Sequence, residues 1–463
     1  MTDSIGRTSH RLGPIRLAPG VRPRHALAYL FAAFISIGLF TYLTTLTPYL
    51  LEVNLGLPKD EQGTVSGNLQ FWQEILALGV IGWWGAVSDR LGRRPVYVLG
   101  FILLALAYVL YPTAESVLEL TAYRLVFGLA LAALSAMLAA VLADYAHEDS
   151  RGKLTGLAFL LNGIGAVLFF VFLTRLPAFY AAPNIFSASG ADALRAGHYA
   201  YWTIACLALL AAIVMLGLKP GPPVAVRKGA TVVELLRDGL AAARNPRIAV
   251  SYVGAFAARA DMAVISLFLA LWIVQAATSA SASPDEAVGR AGMITGMALV
   301  ASMIWAPIFG LIADRIDRLT LLCIGFLLAA IGYGWVASLD DILAPAAIPA
   351  LLCLGIGQSS TILSSSVLLA QEAEADIRGS VFGLQTLFGA VGILALSAGG
   401  GVLFDKLGPH APVVAISAAN GLVFLLAVVI RVREVRSDYR RRSRLSRSCA
   451  GRIQLLTGRR NSS

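Results

Sequence analysis

Two stretches decide the fold: "GAVSDRLGRRPVYVLGF" at 85–101 and "GLIADRIDRLTLLCIGF" at 310–326. Gly85 aligns with Gly310, Asp89 with Asp314, Arg90 with Arg315 and Gly100 with Gly325. Further on, "RGKLTG" (151–156) aligns with "RGSVFG" (378–383) at almost the same offset. Two separate matches at one spacing mark a tandem repeat, so the chain is two halves of common design.

Around these loops the chain is apolar. Of 463 residues, 57% are hydrophobic and 14% charged, against roughly 25% charged in a soluble domain. The apolar residues come in blocks such as "VYVLGFILLALAYVLYP" from Val96, long enough to cross a bilayer, which takes about 17–25 residues. Twelve transmembrane helices are expected, at 26–51, 64–88, 96–112, 118–143, 153–176 and 200–218, then 248–277, 289–313, 320–337, 346–368, 380–403 and 412–431. Six per half is even, so both halves enter from the same side, a parallel repeat about the membrane normal. The expected architecture is an all-α membrane protein of two pseudo-symmetric six-helix bundles around a central cavity. Its parts are an N-terminal tail (1–25), a first bundle (26–218), a linker (219–247), a second bundle (248–431) and a basic tail (432–463).

Basic residues set the orientation, because they stay on the cytoplasmic side. With both termini cytoplasmic, only Lys59, Arg175, Arg195, Arg290 and Lys406 of the 37 Lys and Arg fall outside the cell, and Arg124 and Arg259 lie within spans. The expected location is the cell membrane. The tail from Arg431 carries eleven arginines; it reads as a cytoplasmic flank near anionic lipid, and no nucleic-acid partner is expected. The arginine-rich first 25 residues fit a transit peptide or a cytoplasmic flank, with no cleavage site after a short apolar region. Neither tail is expected to fold. Cys206, Cys323 and Cys353 sit in apolar runs and read as packing residues; no metal site or cofactor is expected.

"GAVSDRLGRR" resembles the loop signature of the major facilitator superfamily, Gly-x-x-x-Asp-Arg-x-Gly-Arg-Arg, matched by Gly85, Asp89, Arg90, Gly92, Arg93 and Arg94. The twelve spans and the degenerate second copy extend the resemblance over nearly the whole chain. It implies a secondary transporter in which spans 1, 4, 7 and 10 line a cavity, flanked by 2, 5, 8 and 11. It also implies a cytoplasmic gate: Asp89 meets the N-terminus of span 11 near Gly379, and Asp314 with Arg315 mirrors this at span 5 near Gly152. The physics agrees, since an acid suits the positive end of a helix and Gly85 admits a close neighbour. The second copy has Asp317 and Leu319 in place of Gly92 and Arg94, which weakens its half of the gate. Span 5, "TGLAFLLNGIGAVLFF", lacks the Gly-Pro pair usual in drug-exporting proton antiporters of the family.

"AARADMAVISLF" (257–268) puts two charges inside span 7. Arg259 is twelve residues past Arg247, roughly 18 Å at 1.5 Å per residue, near the middle of a core about 30 Å thick. Asp261, two residues on, points nearly the opposite way, so each charge needs a partner on another helix or water. Glu74 in span 2 and Arg124 in span 4 are the other deep charges. Arg124 resembles the family's span 4 arginine, associated with proton coupling. An unpaired ion at this depth costs at least about 2.5 kcal/mol, so four idle ones are not expected. Tyr42, Thr41, Thr44 and Thr45 in span 1, Gln70 and Gln73 in span 2, Asn162, Gln358 and Gln385 offer hydrogen bonds along the pathway. The expected mechanism is a carboxylate switch, Glu74 or Asp261 taking a proton as its arginine moves away. Two acids and two bases sum to zero, which suits a zwitterion, an anion or a neutral solute.

No HExxH, GxSxG, GxxxxGK[ST] or CxxC is present, so neither catalysis nor nucleotide-driven transport is expected. The other class is a receptor or scaffold that kept the fold; such a chain would have lost the gate and the deep charges. The expected partners are a small-molecule substrate, protons as coupling ion and the lipid bilayer, with the protein a monomer.

Overall fold

The computed structural model describes residues 10–183, 189–221, 232–374 and 377–458. Twelve long helices dominate: α1 (Pro23–Val53), α2 (Gln62–Leu91), α3 (Arg93–Leu110), α4 (Val117–Tyr145), α5 (Arg151–Phe172) and α6 (Ala193–Met215) form the first half. The second holds α7 (Pro246–Ser279), α8 (Pro284–Ala313), α9 (Arg318–Ala337), α10 (Ile348–Glu372), α11 (Arg378–Leu407) and α12 (Ala411–Gly458). Eleven of these stretches are long and apolar enough to cross a membrane. The remaining one, α2, is as long at 30 residues, but Gln70, Gln73 and Glu74 dilute its apolar run. Part of the linker, 222–231, lies outside the described residues; beyond it a short helix, Val232–Ala242, packs on α11.

The repeat is visible in how the helices touch. A Cβ on Gly165 of α5 would overlap the Phe34 carbonyl of α1, and one on Gly392 of α11 would overlap the Phe256 carbonyl of α7. Gly128 of α4 lies against Gln73 of α2, and Gly355 of α10 against Ala298 of α8. Small residues let helices approach within lipid, where dispersion replaces the hydrophobic drive. Gly165→Leu and Gly392→Leu are each expected to lower the unfolding midpoint of the purified protein, by about 3 kcal/mol or more of overpacking. Gly421→Leu, where nothing lies within 4 Å, is the control and should leave the midpoint unchanged.

Both tails depart from expectation. Residues 11–16 form a two-stranded hairpin, Arg11–Leu12 with Ile15–Arg16. The Ala18 N–H donates to the Tyr145 carbonyl and the His147 N–H to that of Arg16, and Ile15, Leu17 and Val21 are buried. Three apolar side chains among the arginines anchor the segment against the end of α4. At the other terminus, α12 runs without a break to Gly458, beyond the end of its apolar stretch at Arg436. Cys206 is exposed on α6 rather than packed.

Candidate substrate and ion pathway

The hairpin and the α2–α3 loop share one face of the molecule, here the termini face; the opposite face is the distal face. Between them lie the four deep charges, each oriented by its helix.

Arg124 is 1% exposed on α4. Its Nη2 donates to Thr44 Oγ1 of α1 at 2.9 Å and to Gln70 Oε1 of α2 at 2.8 Å. Gln70 passes the interaction on, its Nε2 donating to Glu74 Oε1 at 2.8 Å. Glu74 lies within electrostatic reach of both Arg124 and Arg259. Arg259 is exposed and leans on α11, where its Cγ lies 2.5 Å from the position a Cβ on Gly389 would take. The guanidinium of Arg124 also faces the rings of Tyr111 and Phe127 at 5.9 and 5.4 Å. Its Nε and Nη1 are buried with no hydrogen-bond partner among the described residues.

Asp261 goes elsewhere. It is fully buried, its Oδ2 accepting from Thr361 Oγ1 of α10 at 3.1 Å and its Oδ1 from Asn420 Nδ2 of α12 at 2.9 Å. Tyr333 of α9 donates to its backbone carbonyl at 3.4 Å. Immediately after, α7 loosens into a π-helical turn, Val264–Leu269, a feature that recurs at functional sites. Arg259 and Asp261 do point apart, as two residues on one helix must. The expected acid–arginine pairing is corrected: among the described residues no two of these four charges lie within ion-pair distance.

The polar candidates divide. Tyr42 is 2% exposed and packs on Tyr108 of α3 and Tyr201 of α6, inside the first bundle. Gln73 is turned to Gly128 of α4. Thr41 and Thr45 bond back to their own helix. Gln70 and Thr44 join the charge network; Gln358 and Gln385 are buried on α10 and α11, and Asn162 Oδ1 is buried without a partner.

The two faces differ. At the termini face the expected gate is not made. Positions Gly85, Gly152 and Gly379 have nothing within 4 Å of a would-be Cβ. Asp89 pairs instead with Arg93 at 2.6 Å, and Arg93 with Asp144 of α4 at 2.8 Å. Arg90 is exposed and Arg94 half-buried. In the second half, Asp314 and Arg315 are exposed, Asp314 reaching Arg318 at 3.8 Å. Asp317, the departure from the signature, caps α9 through the Thr320 N–H at 3.1 Å and pairs with Arg431 at 3.5 Å. That is its physical use, since Asp is a favoured helix cap.

Every hydrogen bond between the halves, among the described residues, lies at the distal face. Lys59 donates to Thr278 and Ser279 at 3.0 Å, and Gln275 to the Lys59 carbonyl at 3.0 Å and to Gln62 at 3.1 Å. Asp405, at the end of α11, accepts the Gly63 and Thr64 N–H groups at 2.9 and 2.6 Å. It therefore caps the N-terminus of α2, where unpaired N–H groups and the helix dipole favour an anion. The sequence reading missed Asp405. Its signal was present: "GVLFDKLG" (401–408) repeats the Gly-x-x-x-Asp-basic-Leu-Gly of "GAVSDRLG" (85–92). Both helices end at a glycine of positive φ, +97° at Gly92 and +96° at Gly408, a backbone that other residues adopt only with strain.

Fold and sequence settle the class. The chain belongs to the Major Facilitator Superfamily, whose model matches residues 28–397 and 251–457; this is a family of membrane solute transporters. Along 90% of its length it is 27% identical to the magnetosome protein MamH of Paramagnetospirillum magneticum, spanning 94% of that protein. It is 24% identical to the magnetosome protein MamZ of the same organism, of which it spans 59%. Among solved structures, a point mutant of the nucleoside transporter NupG superposes with a TM-score of 0.68 at 15% identity, covering 87% of this chain and 99% of that one. The chain thus has the fold of that structure.

Proposed function

We propose that this chain is a secondary active transporter that moves a small solute by alternating access, driven by protons. The observation that carries the reading is the difference between the faces. Among the described residues the halves are hydrogen-bonded at the distal face. No hydrogen bond joins them at the termini face, where Gly85, Gly152 and Gly379 have open space beside them. The bias of basic residues supports a cytoplasmic termini face, and with that orientation the arrangement corresponds to an inward-open state. In the outward-open state the contacts exchange. Asp405 leaves the N-terminus of α2, and Asp89 leaves Arg93 for the N-terminus of α11. Since α2 and α11 run antiparallel and pack together, one pair of helices carries a cap at each end, and the two caps are used in turn.

Glu74 is the proton carrier in this reading. It is tied through Gln70 to Arg124 of its own half and lies level with Gly389, where Arg259 of the other half leans, whereas Asp261 is satisfied by donors of its own bundle. The membrane is a cell membrane, with the protein acting as a single subunit.

Cross-linking tests alternation. An added Cβ on Gly63 would lie 2.5 Å from Asp405 Oδ1, which puts a Gly63→Cys/Asp405→Cys pair near the Cβ separation of a disulfide, about 3.5–4.5 Å. In proteoliposomes, oxidation should stop solute-dependent flux and reduction restore it. Flux that continues at the same rate in fully oxidised protein would show that the distal face need not open.

A further inference from the structure

The deep charges sum to zero in the sequence, but the fold divides them. Asp261 is enclosed by the second bundle, its two carboxylate oxygens held by Thr361 and Asn420. Helices α2 and α11 pack antiparallel, Gly67 against Ser397 and Gly63 against Gly401. That register sets Glu74 level with Gly389 and Ala390, where Arg259 leans. Gln70 ties Glu74 to Arg124, so this group holds one acid for two bases. Among the described residues Arg259 makes no ion pair, and Arg124 keeps two buried nitrogens without a hydrogen-bond partner although it is 1% exposed. A buried guanidinium with unused donors is a costly arrangement. A ligand that supplies the missing acceptors and charge relieves it.

We infer that the transported solute is an anion, carrying a carboxylate or phosphate group that seats between Arg124 and Arg259. This deepens the transporter reading and rests on it. The planar fork of arginine matches such groups with two parallel hydrogen bonds. The two guanidinium groups come from different halves, Arg124 from α4 and Arg259 from α7, so one anion contacts both bundles and draws them together.

The same geometry ties the anion to the proton. Of the groups around Glu74, Arg124 and Arg259 are charged and Gln70 is neutral; among the described residues Glu74 makes no ion pair. An ionised Glu74 competes with the anion for both arginines. A protonated Glu74 leaves them free, so proton and anion bind together, and each must tighten the other by the same factor. Gln70 links the sites directly, because it accepts from Arg124 with one end of its amide and donates to Glu74 with the other.

The test uses the full-length protein in lipid nanodiscs, at constant ionic strength. The probes are lactate, succinate, citrate and inorganic phosphate as anions, choline as cation and glucose as neutral solute. Unfolding midpoints are read against concentration at pH 5.5 and pH 8. At least one anion should raise the midpoint saturably, with a half-saturating concentration at least about five-fold lower at pH 5.5, the low end of ordinary coupling between sites. Arg259→Gln should weaken that response about ten-fold or more and keep the midpoint of the ligand-free protein. Three outcomes overturn the proposal: no anion acts, the anion acts equally on Arg259→Gln, or choline or glucose acts saturably while the anions do not. The last would leave the transporter reading standing with another substrate class, whereas the cysteine cross-link addresses transport itself.

Discussion

Asp405→Ala should open the distal face. The carboxylate accepts two backbone N–H groups at the start of α2, at 2.9 and 2.6 Å. Each hydrogen bond to a charged group is worth about 1.5–3 kcal/mol, and the acid also meets the positive end of a 30-residue helix. Losing about 3 kcal/mol shifts a two-state balance by roughly 150-fold, at tenfold per 1.4 kcal/mol. The inward-open state should therefore give way to the outward-open one unless the Lys59 and Gln275 contacts hold alone. The readout is maleimide labelling of a cysteine placed at Ser397, buried on α11 beside Gly67. Labelling should rise about ten-fold or more in Asp405→Ala over the parent, and net flux should fall because the return step is slowed. Asp405→Asn, neutral but still an acceptor, should fall between. Labelling that stays at the parental rate would mean the cap does not hold the face shut.

The plan of this molecule was legible because it rests on periodic and repeated features. Blocks of apolar residues of spanning length, and two loop motifs at one offset, need no tertiary information to be read. The glycine contacts at Gly165 and Gly392 follow the same repeat. Relative orientation along one helix was legible too, since helical geometry alone sets Arg259 and Asp261 on opposite sides of α7. Direction around the helix was not. Whether Asp261 faces a cavity or its own bundle depends on Thr361 and Asn420, which are distant in sequence and ordinary in their own segments. Tyr42 illustrates the same limit: an aromatic on a lining helix reads as a pathway residue, yet Tyr108 and Tyr201 draw it inward. The conformational state was illegible for a further reason. In the proposed cycle a sequence must encode both sets of contacts, and the structure holds one of them, with Asp89 of the "SDRLGRR" loop on Arg93. Asp405 shows that a motif is found where it is sought, since "GVLFDKLG" lay at the far end of the partner helix.

Glu74→Gln should uncouple the cycle without dismantling the site. The amide keeps an acceptor for the Gln70 N–H that now bonds Glu74 Oε1 at 2.8 Å, so the Arg124–Gln70 arrangement survives. What disappears is the negative charge that Glu74 sets beside Arg124 and Arg259. The variant then resembles the protonated carrier at every pH. Its affinity for an anion should lie at the acidic limit of the parent and no longer vary between pH 5.5 and pH 8. Counterflow, in which labelled solute exchanges for unlabelled, needs only the loaded protein to turn over and should persist. Accumulation driven by an imposed pH gradient requires the carboxylate to gain and lose its proton and should vanish. Asp261→Asn separates the two acids. It perturbs the Asn420 contact and lowers stability, but a proton-driven gradient should still form, because the charge it removes is not one the cavity arginines meet. The opposite pattern, accumulation intact in Glu74→Gln and lost in a folded Asp261→Asn, would move the proton site into the second bundle and make the π-helical turn after Asp261 the element that responds to it.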